Sequence, residues 1–416
     1  MELRKVRLGE ILEVTRGASL SGDSYATKGK YIRLTCGNFD YVNNFFKDNT
    51  SKENIYYTGA FKDCFLMSEG DIITPLTEQA IGLLGSTARV PEGGKYIQSQ
   101  DIGKIVCKEN LLDKDFAYYL ISSQGVKRQL SAAAQQTKIR HTSPDKIKDC
   151  VVWIPPIEQQ RRIGKLLSDI DRKIALNRRM NATLEAMARQ LYDYWFLQFD
   201  FPDAHGKPYK SSGGKMTWNN KLKRDIPEGW SCGTLLDIAN ITMGQSPDGS
   251  SYNEEGNGII FYQGSTDFGI RFPDIRLFTT APRRFANKGD ILMSVRAPVG
   301  VLNIANNDCC IGRGLSALSS KIGSMTHLYY TMDLFRLKFE GMNAVGTTFG
   351  SITKDELHDL PVVRPAHEVL NSFEQICRPI YDKQMKIGER ISTLTRLRTT
   401  LLPLLMNGQV EVTEAL

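Results

Sequence analysis

The stretch QQTKIRHTS, beginning at Gln135, sets Lys138, Arg140 and His141 among small hydroxyl residues. Cationic side chains mixed with hydroxyls suit contacts to phosphate oxygens, through charge, and to base edges, through hydrogen bonding. A second group lies further along. IRFPDIR and APRRFANK supply Arg271, Arg276, Arg283 and Arg284, and SVRAPVG and IGRGLS supply Arg296 and Arg313. Arg16, in LEVTRG, and Arg33, in YIRLTC, complete the set in the first half. Each residue is equally an ordinary surface cation or ion-pair partner when taken alone. The formal charge of +7 fits a polyanionic partner without requiring one.

Catalytic chemistry has little to work with. Cofactor-dependent base methylation would need an Asn-Pro-Pro or Asp-Pro-Pro tripeptide before an aromatic, whereas Pro155-Pro156 is flanked by isoleucine. The phosphate-binding pattern G-x-x-x-x-G-K-[ST] does not occur. Asp171-Arg172-Lys173, the nearest approach to a nuclease acidic-x-lysine, falls within a predicted helix and reads as a solvated face. The five histidines, His141, His205, His327, His358 and His367, lack metal-ligand spacing. The eight cysteines include no C-x-x-C pair and read as reduced thiols. No metal, cofactor or catalytic residue is expected. The 41% apolar and 24% charged composition is that of a globular chain, no run of about 18 apolar residues exists to span a bilayer, and MELRKVRLGEILEV has no secretory core, so a cytoplasmic protein is expected.

The elements that position these residues are written twice. TKIRHTSPDKIKDCVVWIPP from Thr137 and TTFGSITKDELHDLPVVRPA from Thr347 align at a shift of 210, matching Asp145 with Asp355, Asp149 with Asp359, Val152 with Val362 and Pro155 with Pro365. GDIITPL from Gly70 answers GDILMSV from Gly289, and LGEILEVTRG from Leu8 answers LLDIANITMG from Leu235. A period this long means a duplicated domain, not a solenoid. Short β-branched runs bounded by turn residues predict strands. DFAYYLISSQGVKRQL and MTHLYYTMDLFRLKF predict one helix per half.

After each half a heptad pattern begins. Ile163, Leu167, Ile170, Ile174, Leu184 and Leu191 form one seam, with Asn177 and Asn181 as its polar members. Phe373, Ile380, Ile387, Ile391, Leu394 and Leu401 form the other, with Gln384 and Arg398. The two seams predict helices that pair with each other, the polar positions fixing register. The expected fold is α+β: two mixed α/β domains separated by a long antiparallel two-helix coiled coil, with pseudo-two-fold symmetry. The expected boundaries are 1–156 and 231–365 for the domains, 157–200 and 366–408 for the helices, and 201–230 for a polar linker.

Over nearly its whole length the sequence resembles the specificity subunits of type I restriction-modification systems. The resemblance rests on IPPIEQQRRIGKLLSDIDRKIALNRRMNATLEAMARQLYDYWFLQFDFP, on IPEGW in the linker, and on MGQSPDGSSYNEEGNGIIFYQGSTDFG with GDILMSVRAPVGV. It implies two target-recognition domains, each reading half of a bipartite site in double-stranded DNA. It also implies that methylation and cleavage reside in partners: two copies of a methyltransferase subunit, and restriction subunits. The alternative from the residues alone is a stand-alone two-domain DNA-binding regulator.

Overall fold

The computed structural model describes residues 2–78, 82–133, 140–344 and 350–413. Lys138, with Thr137 and Thr347 of the repeat, lies outside them. The chain forms two compact units, residues 1–175 with 393–416, and residues 176–392.

In the first unit, Arg4–Arg7 pairs antiparallel with Val151–Ile154, tying the start of the unit to the strand that leads into the long helix. An antiparallel sheet runs Ala88–Arg89, Ile72–Pro75, Ile102–Cys107, Leu12–Arg16. A second sheet places Tyr96–Ile97 parallel to Tyr31–Arg33 and continues through Tyr56–Tyr57 and Tyr25–Ala26. Every residue of Ile72–Pro75 is buried, so this strand is covered on both faces. The predicted helix in DFAYYLISSQGVKRQL is two helices, Lys114–Ile121 and Gln124–Ala133. Asp113 caps the first by accepting from the Phe116 amide at 2.8 Å. Ser122 ends it: its hydroxyl donates to the Tyr118 and Tyr119 carbonyls, a local bond that competes with helix continuation.

The second unit repeats this pairing residue by residue. Arg4 faces Ile154 in the first unit, and Ser231 faces Arg364 in the second, shifts of 227 and 210. Ile72 faces Ile105, and Ile291 faces Leu318, shifts of 219 and 213. Phe261 lies parallel to Cys310 as Ile32 does to Tyr96. The duplication therefore extends to strand register, and insertions fall in the connections. The capping pattern is duplicated too: Ser143 accepts from the Lys146 amide, and Thr353, 210 residues on, accepts from Glu356.

Two long helices, α1 (Ile157–Tyr192) and α2 (His367–Met406), each contribute to both units. Within the first unit, Ile163 and Leu167 of α1 share a core with Leu401, Leu405 and Met406 of α2. Arg398 donates to Asp171 at 2.9 Å. Within the second unit, Ala188 and Tyr192 share a core with Phe373 and Cys377, and Gln384 donates to Glu185 at 2.7 Å. In each unit early residues of one helix thus meet late residues of the other, an antiparallel pairing. Ile170, Ile174, Ile387 and Ile391 are buried, and Leu184, Leu191, Ile380, Leu394 and Leu401 are half-buried, so every seam position is at least partly covered.

The segment 201–230 is more ordered than its polar composition predicts. It carries the hairpin Met216–Asn219 with Arg224–Pro227. Phe201 stacks between Tyr209 and Trp230, with ring centroids 4.7 and 5.0 Å away. The Asp200 carboxylate accepts from the Ser211 amide and hydroxyl at 2.7 and 2.6 Å, closing the loop between them. Three aromatics dispersed among Gly, Lys and Ser were enough to fold it, because together they bury an aromatic stack.

His327 lies inside the second unit's aromatic core, 4.7 Å from the Phe196 ring and 5.7 Å from that of Tyr192. Burial pushes its imidazolium pKa from 6.5 down to about 4. Its folded pKa lies below its unfolded one, so the neutral ring's contribution is complete above about pH 6.5 and is lost as pH falls toward 4. The loss amounts to about 3 kcal/mol at the acid end, from about 1.4 kcal/mol per pKa unit. The urea midpoint of His327→Leu, measured from pH 7 to pH 4, is expected to fall less steeply than that of the wild type. Parallel curves would remove His327 as an acid-sensitive group.

Candidate nucleic-acid interface

The strand Cys309–Ile311 organises the exposed cations of the second unit. The Ile311 amide donates to the Arg284 carbonyl at 2.9 Å, and the Val295 amide to the Gly314 carbonyl at 2.9 Å. These bonds draw the segments carrying Arg283 and Arg284, Arg296 and Arg313 around one strand end, and all four side chains are exposed. The Arg313 amide is anchored to the Ser246 hydroxyl at 3.2 Å. Asp248, in the same neighbourhood, is held below the usual carboxylate range by hydrogen bonds from Ser250 and, to a smaller extent, by the charge of Arg283. Phe285, opposite Cys310, adds exposed apolar surface, 52% accessible. Fixed backbone with long cationic side chains in solvent is an arrangement that can neutralise phosphates while apolar neighbours meet base or sugar.

Arg276 is exposed but bound. Its Nε donates to Asp267 at 3.0 Å, and the buried carboxylate raises the guanidinium pKa. Two sequence candidates are internal. The Arg271 side chain is 5% exposed, pairs with Glu185 of α1 at 3.0 Å, and sits 5.2 Å from the ring centroids of both Tyr329 and Tyr381. Arg33 is 7% exposed, lies 3.8 Å from the Tyr25 ring centroid, and donates to the Asn54 carbonyl. Burial takes both out of the surface set.

In the first unit Arg16 is exposed at the end of its strand, its Nε donating to the Gln100 carbonyl at 2.8 Å. His141 is exposed on the strand Arg140–His141, which pairs with Thr77–Glu78. Here the units differ in an informative way. His141 faces Thr77, whereas the corresponding bridge of the second unit sets Ser351 opposite Arg296. The same corner carries its basic side chain on opposite partners.

The sequence reading missed Lys28, Lys30 and Lys52, all exposed in connections beside the second sheet of the first unit. Lys30 holds its ammonium 4.9 Å from the Tyr31 ring centroid. Their signal was lysine at turn positions next to tyrosine-rich strands. Among the described residues there is no cluster of histidine, cysteine and carboxylate side chains able to hold a metal ion, and no helix is long and apolar enough to cross a membrane.

Comparison with known proteins places this architecture. A Methanocaldococcus jannaschii protein named for the type I restriction enzyme MjaX specificity subunit is 31% identical over 292 residues, 67% of this chain and 63% of the relative. The MjaIX specificity subunit of the same organism is 23% identical over 353 residues, covering 80% of this chain and 78% of that one. The crystal structure of a type I restriction-modification S subunit from M. genitalium superposes with a TM-score of 0.62 over 98% of this chain and 96% of that one, at 17% identity, and so shares the fold. The sequence profile of the type I restriction modification DNA specificity domain matches twice, at residues 2–186 and 227–403, one match for each copy of the repeat. The chain belongs to that family.

Proposed function

We propose that this chain is the non-catalytic specificity subunit of a type I restriction-modification complex, reading a bipartite sequence in double-stranded DNA and directing partner subunits to it. The observation that carries this reading is the paired family match on a duplicated fold, each copy with its own exposed cations on differing loops. In this reading residues 1–156 and 231–365 are the target-recognition domains, 157–200 and 366–408 the helices, and 201–230 the connection between them. The partners are two methyltransferase subunits and restriction subunits, and the complex works in the cytoplasm. Arg16, Lys138, Arg140 and His141 in one half, and Arg276, Arg283, Arg284, Arg296 and Arg313 in the other, are the proposed DNA contacts. Co-purification tests the reading against a stand-alone regulator. The chain should capture a methyltransferase subunit, and the methylated motif of cells carrying the complex should have two defined halves around an unread gap. Sequence-specific DNA binding with no methyltransferase captured would favour the regulator.

The distinction between exposed and buried arginines gives a sharper test. Arg283→Ala with Arg284→Ala is expected to leave thermal stability unchanged and to reduce the magnitude of the salt slope of DNA affinity, by about 0.9 for each phosphate no longer neutralised. Arg271→Ala should do the reverse. Truncating the buried Arg271 side chain removes its pairing with Glu185 and its packing on Tyr329 and Tyr381, so the melting temperature drops while the salt slope of the protein that remains folded stays as in the wild type. An unchanged slope in the double variant would remove that pair from the interface.

A further inference from the structure

The first unit holds a groove of about 910 Å³ lined by Tyr41 and Val42, by Trp153 of the strand Val151–Ile154, and by Leu402 and Met406 at the end of α2. Its apolar rim faces solvent: Val42 is 75% exposed and Trp153 53%. Large apolar side chains concentrated at one place on a surface mark an interaction site.

The duplication shows what such a face accepts. Trp153 lies opposite Lys5, and the counterpart pair in the second unit is Val363 opposite Cys232. Val363 is covered by an aromatic cluster that includes Phe199, Phe201 and Trp230. The helix ends correspond as well. Leu402 and Met406, shifted back by 210, are Tyr192 and Phe196, which are 5% and 2% exposed under the same cluster. Leu3, the residue before the first strand, lines the groove, and its counterpart Trp230 packs 5.9 Å from Phe196 and 5.6 Å from Phe199. In the second unit, then, the chain's own residues 199–230 lay aromatic side chains over a face whose strand position in the first unit, Trp153, is exposed, while Leu402 is half-buried and Met406 buried in the first unit's own core.

Accepting the functional reading above, we propose that the groove at Trp153 is a protein docking site that takes an aromatic-bearing segment of the methyltransferase subunit. That segment occupies in trans the position that residues 199–230 fill in cis on the second unit. Arg398 is paired with Asp171 and with the Asn43 carbonyl, while Asn44 Oδ1 is buried in the groove without a hydrogen-bond partner and the lining Lys127 is half-buried. The incoming surface therefore needs apolar and aromatic groups together with a donor for Asn44.

The test uses the full-length chain and the purified methyltransferase subunit of its own system, with affinity measured by surface-immobilised binding. Trp153→Glu and, separately, Val42→Glu put a charge where an aromatic should seat. Each should weaken capture tenfold or more, the scale of losing a buried anchor. Val106→Glu, at a residue 44% exposed outside the groove, should bind as the wild type does. Matching thermal melts across the set exclude unfolding, and Val42 is exposed enough for its variant to fold in any case. Wild-type affinity in both groove variants overturns the proposal and leaves the functional reading intact. Concentration-dependent dimers of the wild type that Trp153→Glu abolishes would make the occupant a second copy and overturn the choice of partner. Loss of DNA binding with methyltransferase capture retained would make it a nucleic-acid surface and overturn it likewise. A wild-type chain that captures no methyltransferase overturns the functional reading itself.

Discussion

A helix as long as α1 keeps its apolar stripe out of water only by lying against something along its length, and the structure is arranged around that requirement. Isolated helices gain little from backbone propensity, and tertiary packing of the stripe supplies their stability. Ile163 and Leu167 are fully buried against the first unit's core and the end of α2, and Phe373 and Cys377 against the second unit's core and the end of α1. Each helix is thus a wall of both units. Several polar groups along the helices are paired where they stand. Asp171 accepts from Arg398 and from the Tyr119 hydroxyl, while Glu185 accepts from Gln384 and Arg271. Sliding either helix by one turn would separate these carboxylates from their donors as well as breaking the apolar packing, so the polar pairs add to the definition of register. Burial first, and then the neighbouring Asp171 carboxylate, hold the Tyr119 phenol protonated well above its usual range, which keeps it a donor.

The duplicated scaffold separates what must be constant from what can vary. Strand pairing recurs with the same partners, since each pairing decides which side chains reach the core and a slip by one residue would turn every one of them outward. Connections carry no such constraint. There the copies diverge: the basic residue at the corner formed by His141 and Thr77 is exchanged for one across the pair at Arg296 and Ser351. A rigid frame with interchangeable loops is what the proposed reading of two half-sites requires, because direct base readout depends on which side chains are presented.

The same contrast runs through the aromatic clusters. The second unit closes its surface with Trp195, Phe196 and Phe199 at the end of the first helical segment and with Phe201 and Trp230 of the connection that follows. The first unit leaves Trp153 and Val42 in solvent. The unequal treatment of equivalent faces is a property of packing.

The heptads at Ile163 and Phe373, the period of about 210 residues and the absence of methyltransferase or nucleotide-hydrolysing motifs were all legible in the chain, because periodicity and motif spacing are local and survive without coordinates. The candidate cations were legible only as a set. IRFPDIR looks like an exposed turn, and no local pattern indicates that Arg271 lies between Tyr329 and Tyr381 with Glu185 as its counterion, partners 58, 110 and 86 residues away. Likewise GKPYKSSGGKMTW reads as a loose linker until Phe201 and Trp230 bring a stack around Tyr209. Whether a charge is solvated or buried, and whether a dispersed aromatic finds a partner, depends on residues distant in sequence, and only the tertiary structure brings those together.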